Sequence, residues 1–339
     1  MIFWLWAGFI TVILVLLFID LGVINRRAHA PSAREALGWL SAFIALALLF
    51  NVGVYFIYEH RLFDIAARPG PAGPDGAPTM VYASGWQAAV EFFTGWLMEY
   101  SLSLDNIFVI AVIFQYFRVP PRYQHRVLFW GILGALVMRG AMIGAGVALI
   151  AHFSWVMYIF GALLLFTAIK MLRIQDTHVD PDRNMLVRIA RRFYPVSSSI
   201  DSERFFVHVD GRRTMTPLFV ALLVVESTDV LFAVDSIPAI FAITRDPFIV
   251  FTSNVFAILG LRSMYFALAV LMDRFRHIKI SLAFILAYVG VKMLVSHHFK
   301  VVIPVGLSLG VIVGALLLGV LASWRAPRQA DAHPPALDR

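Results

Sequence analysis

Acidic residues are concentrated in two otherwise apolar stretches of the sequence: Glu99 and Asp105 in the first, and Glu226, Asp229 and Asp235 in the second. An acid at the centre of a lone membrane helix costs about 2.5–3.5 kcal/mol, so a stretch with three acids is expensive to insert unless they have a use. Groups of carboxylates suit a hard divalent cation. The residue types therefore indicate a cation site, provided that helices bring the acids together.

The other donors available to such a site are oxygens. The chain has no cysteine, and its histidines lie at the ends of apolar runs, in connections or in the tail. Asn106, Thr228 and Ser236 add amide and hydroxyl oxygens beside the acids. An all-oxygen ligand set favours Mg²⁺, Ca²⁺ or Mn²⁺ over Zn²⁺ or Cu²⁺. The absence of cysteine also excludes a disulfide framework and a thiolate metal site.

The elements that must position these residues are membrane helices. Of the 339 residues, 60% are hydrophobic and 14% charged, with a mean hydropathy of +0.80, whereas soluble domains are about 25% charged. Nine apolar runs are long enough to span a bilayer: about 2–24, 36–58, 86–116, 127–150, 155–172, 216–243, 249–272, 281–297 and 301–323. The first run lacks the basic start of a signal peptide and should be retained. We predict an all-α polytopic membrane protein with nine transmembrane helices.

The basic residues indicate the orientation. Of the 28 Lys and Arg residues, 20 fall in alternate connections and the C-terminal tail, four in the connections on the other side and four inside the runs. Positive charge marks the cytoplasmic side of a membrane protein. The N-terminus is therefore predicted outside and the C-terminus in the cytoplasm. The net charge of +7 then reflects topology and anionic lipid, and we expect no nucleic-acid partner.

A repeated pattern links the two acidic stretches. The motif S-x-D-x-[IL]-F occurs around Asp105 and again around Asp229. Asp105 is followed by Arg139 after 34 residues and by Lys170 after 31 more; Asp229 is followed by an arginine after 33 residues and a lysine after 30 more. Each unit has three spans, so the second must be inverted. We predict an inverted three-helix repeat, spans 3–5 and 6–8, with a substrate site between the copies.

The four bases inside the runs are Arg139, Lys170, Arg262 and Lys292. Ion pairing with the acids is the simplest role for them, as supporting charge partners. It does not account for all five acids, which exceed the four bases. Asp229 and Asp235 are six residues apart and so point about 120° away from each other on an unbroken helix. Pro238 could kink the helix and free a carbonyl oxygen near Asp235, or serve packing alone; Asp20 is a second candidate for a gate.

The predicted organisation has seven parts: two N-terminal spans (1–58), an external Pro/Gly-rich loop (59–85), repeat 1 (86–172), a cytoplasmic loop (173–215), repeat 2 (216–297), a ninth span (301–323) and a disordered cytoplasmic tail (324–339). Within the cytoplasmic loop, alternating residues around Asp210-Gly211 favour a β-hairpin. This loop could also form a homo-oligomer contact or bind a membrane partner.

Three stretches resemble one known family: EYSLSLDN at 99–106, ESTDVLFAVDSIPA at 226–239 and TRDPFIVFTSNVFAILGLR at 244–262. They are similar to the TerC/Alx family of bacterial inner-membrane proteins, which is named for tellurium resistance and grouped with the LysE transporter superfamily. The resemblance runs from Asp20 to about Trp324. It implies a multi-pass inner-membrane metal transporter, in particular a manganese exporter, with the acids of the two motifs along the metal path.

We therefore expect a secondary transporter that exports a divalent cation, in particular Mn²⁺, by proton antiport. The expected ligands are Glu99, Asp105, Asn106, Glu226, Asp229 and Asp235. Mn²⁺ is the substrate, and no permanently bound cofactor or enzymatic activity is expected. Two alternatives stay open: export of a cationic or zwitterionic metabolite, and a non-transporting membrane subunit in metal, tellurite or envelope stress resistance.

Overall fold

The computed structural model describes most of the chain, namely residues 2–19, 33–65, 67–69, 80–173, 184–197, 204–209, 211–268 and 278–325. Asp20, the middle of the Pro/Gly-rich loop and the tail beyond Arg325 lie outside these ranges. The predictions made for them, a gate at Asp20, a mobile linker and a disordered tail, are therefore not examined by the structure.

The described residues are almost entirely helical, as predicted for an all-α membrane protein. The helices are α1 (Ile2–Ile19), α2 (Ala33–Glu59), α3 (Gly85–Tyr116), α4 (Pro121–His152), α5 (Val156–Arg173), α6 (Met185–Phe193), α7 (Pro217–Phe241), α8 (Pro247–Leu259), α9 (Leu261–Leu268), α10 (Ile278–Phe299) and α11 (Val305–Arg325). The strands are β1 (Ala67–Pro69), β2 (Met80–Tyr82), β3 (Phe206–Val209) and β4 (Arg212–Met215).

Within the described ranges, eight helical segments are long and apolar enough to cross a membrane, with α8 and α9 counted together over Pro247–Ala267. Each of the eight corresponds to one predicted apolar run. The first run appears as the apolar helix α1, which is not among these eight segments. The total of nine spans and the orientation stay predictions.

Burial separates the helices that form the core from those that face lipid. The α8–α9 segment is almost completely enclosed, and α3 is more than half buried, whereas few residues of α2 and α11 are buried. Large apolar side chains cover the outer surface, among them Leu49, Val137, Phe166, Leu231 and Leu318. Such a surface suits contact with acyl chains, because large exposed apolar side chains are unfavourable in water and favourable in lipid.

The core helices pack in exchanged pairs. Helix α3 lies against α8, and α7 lies against α4, while α5 packs extensively on α10. If α3, α4 and α5 correspond to α7, α8–α9 and α10, these are the contacts that a two-fold relation would produce. At the α5–α10 contact, Gly161 and Gly290 allow the two backbones to approach closely. The inverted repeat predicts this pattern of contacts, and the repeat itself stays a prediction.

The hairpin predicted around Asp210-Gly211 is confirmed. Strands β3 and β4 are antiparallel, with Phe206 opposite Met215 and Val209 opposite Arg212. Gly211 has φ of 74°, a left-handed conformation that glycine adopts at little cost in a tight turn. Two features were not predicted from the sequence: the short β1–β2 pair that flanks the external loop, and the amphipathic helix α6.

Candidate cation site

Arg139 of α4 lies at the centre of a buried polar cluster between four helices. Its Nη2 and Nε atoms donate to the two oxygens of Asp229 in α7, at 2.9 and 3.2 Å. Its Nη1 atom pairs with Glu99 of α3 and also reaches Asn254 Oδ1 of α8 at 3.2 Å and Ser236 Oγ at 3.5 Å. One cation therefore holds two carboxylates from the two predicted repeats.

The neighbouring amides complete this cluster. Asn106 Nδ2 donates to Asp229 Oδ1 at 2.9 Å, which brings that carboxylate three hydrogen bonds. Asn254 Nδ2 donates to the carbonyl of Val250 in its own helix at 3.0 Å. This bond turns the Asn254 oxygen towards Arg139. The cluster is thus held in one geometry by bonds that link all four helices.

Three oxygens on one face of α3 have no hydrogen-bond partner although they are buried: Glu99 Oε2, Ser103 Oγ and Asn106 Oδ1. Residues 99, 103 and 106 are four and three apart, so they lie on one face of the helix. A buried serine in a helix usually donates to the carbonyl four residues earlier, as Ser101 does to Leu97, but Ser103 does not. Each unsatisfied buried group costs about 1–3 kcal/mol of stability. This cost indicates that the polar face of α3 serves to bind a ligand.

A small cavity adjoins the Asn106 end of this face. It has a volume of about 20 Å³ and is lined by Asn106 and Asp229 together with apolar residues of α3, α4, α7, α8 and α9. That is room for about one water molecule, and a dehydrated cation is no larger. The cavity has mostly apolar walls, so a charge placed there would interact strongly with the few oxygens that line it.

Asp235 lies apart from this cluster. It is half-buried and accepts a hydrogen bond from Thr167 Oγ1 of α5 at 2.7 Å. The charge of Lys170, one turn further along α5, acts on it. Asp229 and Asp235 thus face different helices, as their six-residue separation in α7 requires. The structure does not bring them to one point.

Glu226 lies one turn before Asp229 and is also half-buried. Its carboxylate lies against Gly134 of α4, so closely that an added Cβ would collide with it. The negative charge of Asp229 acts on it across this turn. Glu226 therefore adjoins the Arg139 cluster without taking part in its hydrogen bonds or ion pairs.

Asp105, the predicted counterpart of Asp229, is only half-buried. The charge that acts on it is that of Lys279, at the start of α10. The residue that meets Asp229 from α3 is its neighbour Asn106. Of the six predicted ligands, the structure therefore brings together Glu99, Asn106 and Asp229 and leaves Asp105, Glu226 and Asp235 at separate positions.

The other predicted supporting residues are spread over the protein. Lys170 is exposed at the end of α5, and Arg262 is buried in α9. Lys292 Nζ donates to Ser308 Oγ of α11 at 2.8 Å. Pro238 lies inside α7, which continues as helix to Phe241. Within the described residues, no group of three or more His, Asp or Glu side chains could hold a metal ion, so a cation at the Arg139 cluster would rely partly on neutral oxygens.

Sequence reasoning missed several polar residues of the core. Ser103 could have been found, because it is one helical turn from Glu99 on the same face. Glu91 is buried and accepts a hydrogen bond from Thr244 Oγ1 at 2.6 Å. Asp246 accepts another from Tyr58 at 2.7 Å. These two bonds tie α2 and α3 to the α7–α8 connection, and no local sequence signal indicates them.

Apolar spanning helices around a buried charged centre define a multi-pass integral membrane protein. The chain belongs to the TerC family, since the family model described as "Integral membrane protein TerC family" matches residues 84–331. This confirms the resemblance drawn from the three motifs. A multi-pass location in the bacterial inner membrane is in keeping with both findings.

Full-length relatives agree with this assignment. The chain is 45% identical over 334 residues to "Uncharacterized membrane protein STKORF319" of Myxococcus xanthus, which covers 98% of this chain and 96% of the relative. It is 43% identical over 328 residues to "Putative membrane-bound redox modulator Alx" of Salmonella typhi, covering 96% of each. The protein of the same name from Escherichia coli K12 is 44% identical over 322 residues, covering 94% of each. No solved structure matches the chain.

Proposed function

We propose that the chain is a secondary transporter that exports a divalent metal cation, in particular Mn²⁺, across the inner membrane. The observation that carries the proposal is the set of three buried, unpartnered oxygens on one face of α3. One of the three residues, Asn106, also lines a cavity of the size of one ion together with Asp229. Membership of the TerC family supports a membrane function. The acids Glu99 and Asp229 are the charged ligands in this proposal, and Ser103 and Asn106 the neutral ones.

Arg139 is the internal counter-charge of this site. Two carboxylates face one guanidinium, so the cluster keeps one net negative charge. A cation that enters the cavity competes with Arg139 for Asp229 and Glu99. Arg139 already bonds to Asn254 and Ser236, and these oxygens can retain the guanidinium when the acids turn to the metal. A site that exchanges cations in this way binds its substrate weakly enough to release it.

The remaining acids suit entry and coupling. Glu226 lies one turn from Asp229 and is half-exposed. From this position it can pass a cation or a proton to the cavity. The sequence has no G-x-x-x-x-G-K-[ST] motif for ATP-driven transport. Proton antiport therefore stays the proposed coupling.

The name of the Salmonella typhi and Escherichia coli relatives, membrane-bound redox modulator, suggests a second candidate, a redox role in the membrane. This chain has no cysteine, so such a role could not use a thiol of the chain itself. Export of a cationic metabolite is a third candidate, but a cavity of about 20 Å³ is too small for an amino acid without rearrangement. The cavity size thus favours a bare ion.

The test is metal uptake into everted membrane vesicles that contain the protein. Uptake of Mn²⁺, Mg²⁺, Ca²⁺ and Zn²⁺ is measured with and without a pH gradient, for the wild-type protein and for Asn106→Leu. We expect saturable Mn²⁺ uptake that is accelerated by the gradient and lost in Asn106→Leu, because leucine keeps the size but removes the oxygen.

The matched control is Asn51→Leu, the same replacement in α2. Asn51 Oδ1 is also buried without a hydrogen-bond partner, but it lies in another helix, outside the cluster around Arg139. This variant should transport like wild type. If no metal ion moves above the level of empty vesicles, or if the two variants lose uptake equally, the proposed function is wrong.

A further inference from the structure

Helix α6 is a short amphipathic helix that lies outside the transmembrane bundle in sequence but packs against it. Its cap is Asn184, whose side-chain oxygen accepts from the backbone N–H groups of Leu186 and Val187. Val187 is completely buried, and Ala190 and Tyr194 pack on the same core cluster. One face of α6 is therefore firmly attached to the protein.

A second face of α6 is apolar and exposed. Met185, Leu186, Ile189 and Phe193 expose 72%, 40%, 46% and 72% of their surface. Residues 186, 189 and 193 follow each other at the spacing of one helical stripe. Apolar side chains exposed to this extent are unfavourable in water, whereas acyl chains would accommodate them.

Beside this stripe lies a basic one. Arg191 and Arg192 lie three and four residues after Arg188, and all three are exposed. Exposed Arg212 and Arg213 of the hairpin extend the basic surface, and the Arg213 guanidinium lies 4.5 Å from the centre of the Phe206 ring. The surface thus combines an apolar stripe with several arginines, which bind phosphate oxygens well.

The contacts of α6 fix its depth relative to the spanning helices. Ser227 Oγ donates to Asn184 Oδ1 at 3.2 Å, and Ser227 is ten residues into α7, about 15 Å along its axis. After α6, the chain returns to the start of α7, where Met215 N donates to the Pro195 carbonyl at 2.9 Å. Helix α6 therefore runs antiparallel along the first half of α7. If α7 enters the bilayer near Pro217, as its apolar run predicts, α6 begins within the bilayer region and ends near its surface.

From this arrangement we propose that α6 and the β3–β4 hairpin bind anionic phospholipid in the leaflet at the start of α7. The acyl chains cover Ile189 and Phe193, and the phosphate headgroups meet the arginines of α6 and the hairpin. The distribution of the basic residues predicts that this is the cytoplasmic leaflet, where anionic lipids attract basic segments. The proposal does not depend on the transport function.

The position of α6 can be measured directly, because the chain has no cysteine. Single cysteines are introduced by Ile189→Cys, Leu231→Cys and Val209→Cys and labelled with a nitroxide in vesicles. Leu231, exposed on α7, is the acyl-chain reference, and Val209 of the hairpin is the reference outside the bilayer. We expect Ile189→Cys to resemble Leu231→Cys, with high access to oxygen and low access to a nickel chelate. Access like that of Val209→Cys would overturn the proposal.

The charge requirement is tested by thermal unfolding in nanodiscs of phosphatidylcholine alone or with one quarter phosphatidylglycerol. The wild-type midpoint should rise by several degrees with the anionic lipid, and the rise should shrink in 0.5 M NaCl. The variant R188Q/R191Q/R192Q should lose the rise. A control, R34Q/R173Q/R325Q, removes the same charge from exposed positions on the predicted cytoplasmic side and should keep it.

Two outcomes contradict the proposal. One is an unfolding midpoint of the wild-type protein that does not depend on the anionic lipid, a result that needs no variant to fold. The other is an equal loss of the lipid effect in both triple variants, since general electrostatic attraction would then suffice. Failure of metal transport would leave both measurements unaffected.

Discussion

The same motif has different surroundings in α3 and in α7. In α7, Asp229 is buried and accepts three hydrogen bonds, two from Arg139 and one from Asn106. In α3, Asp105 is half-buried and acted on by Lys279. Two positions that the repeat aligns therefore have different neighbours, and only Asp229 belongs to the central cluster.

The difference shows how two related units can form one asymmetric site. Arg139 follows Asp105 in the first predicted unit, but its partner in the same unit is Glu99, and its main partner is Asp229 of the second. Because α4 packs on α7, the base of one unit neutralises the acid of the other. The cluster therefore requires both predicted units, as the predicted inverted repeat with a site between its copies implies.

The largest expected effect is the contrast between Asp229→Asn and Asp105→Asn in Mn²⁺ uptake. Asp229→Asn removes a proposed charged ligand at the centre of the cluster and should lower uptake by about 100-fold. Asp105→Asn should leave uptake within a few-fold of wild type, because Asp105 lies outside the cluster. Vesicle flux at matched expression measures both. Equal losses would show that the two motifs act alike after all.

The next effect concerns the stability of the buried pair. Arg139→Gln leaves two carboxylates without their cation and should destabilise the protein by about 3–5 kcal/mol. A double-mutant cycle with Asp229→Asn should give a coupling energy of about 1–3 kcal/mol, measured by thermal unfolding in detergent. The same cycle with Asp105→Asn should give a value near zero. Coupling to Asp105 as strong as that to Asp229 would contradict the geometry.

A smaller effect is expected at Glu226, whose aligned position in α3 is Leu102. Gly134→Ala would place a methyl group against the Glu226 carboxylate and displace it, at a cost of about 1–3 kcal/mol, with a several-fold loss of uptake. Gly144→Ala is the control in the same helix, since nothing lies within 4 Å of its added Cβ. That change should be neutral or slightly stabilising. If the two variants behave alike, Glu226 is not held where the structure has it.

The smallest effect is expected at Asp235, which is aligned with Ala111. Thr167→Val removes the hydroxyl that donates to Asp235 and should cost about 1 kcal/mol, with uptake reduced less than in Gly134→Ala. Thermal unfolding and flux test this together. A loss of uptake as large as that of Asp229→Asn would place Asp235 on the main cation path and enlarge the site towards α5.

Much of the site was predictable because its signals are local. Charged residues inside apolar runs are visible without a structure, since their cost in lipid does not depend on their partners. Glu99, Asp229 and Arg139 were identified in this way, and Asn106 was identified as an amide oxygen beside Asp105. The roles of Ser103 and Asn254 were not assigned, because serine and asparagine are common in helices and carry no comparable penalty.

The sequence by itself determined that this is an all-helical membrane protein and where the helices of its core lie. Apolar length and charge decide both, and these act over one helix at a time. Only the tertiary structure decided which acids meet. Arg139 and Asp229 are 90 residues apart, Arg139 and Asn254 115, and Asn106 and Asp229 123. Such partners depend on how α3, α4, α7 and α8 pack, and hydropathy contains no information about the direction in which a buried carboxylate points.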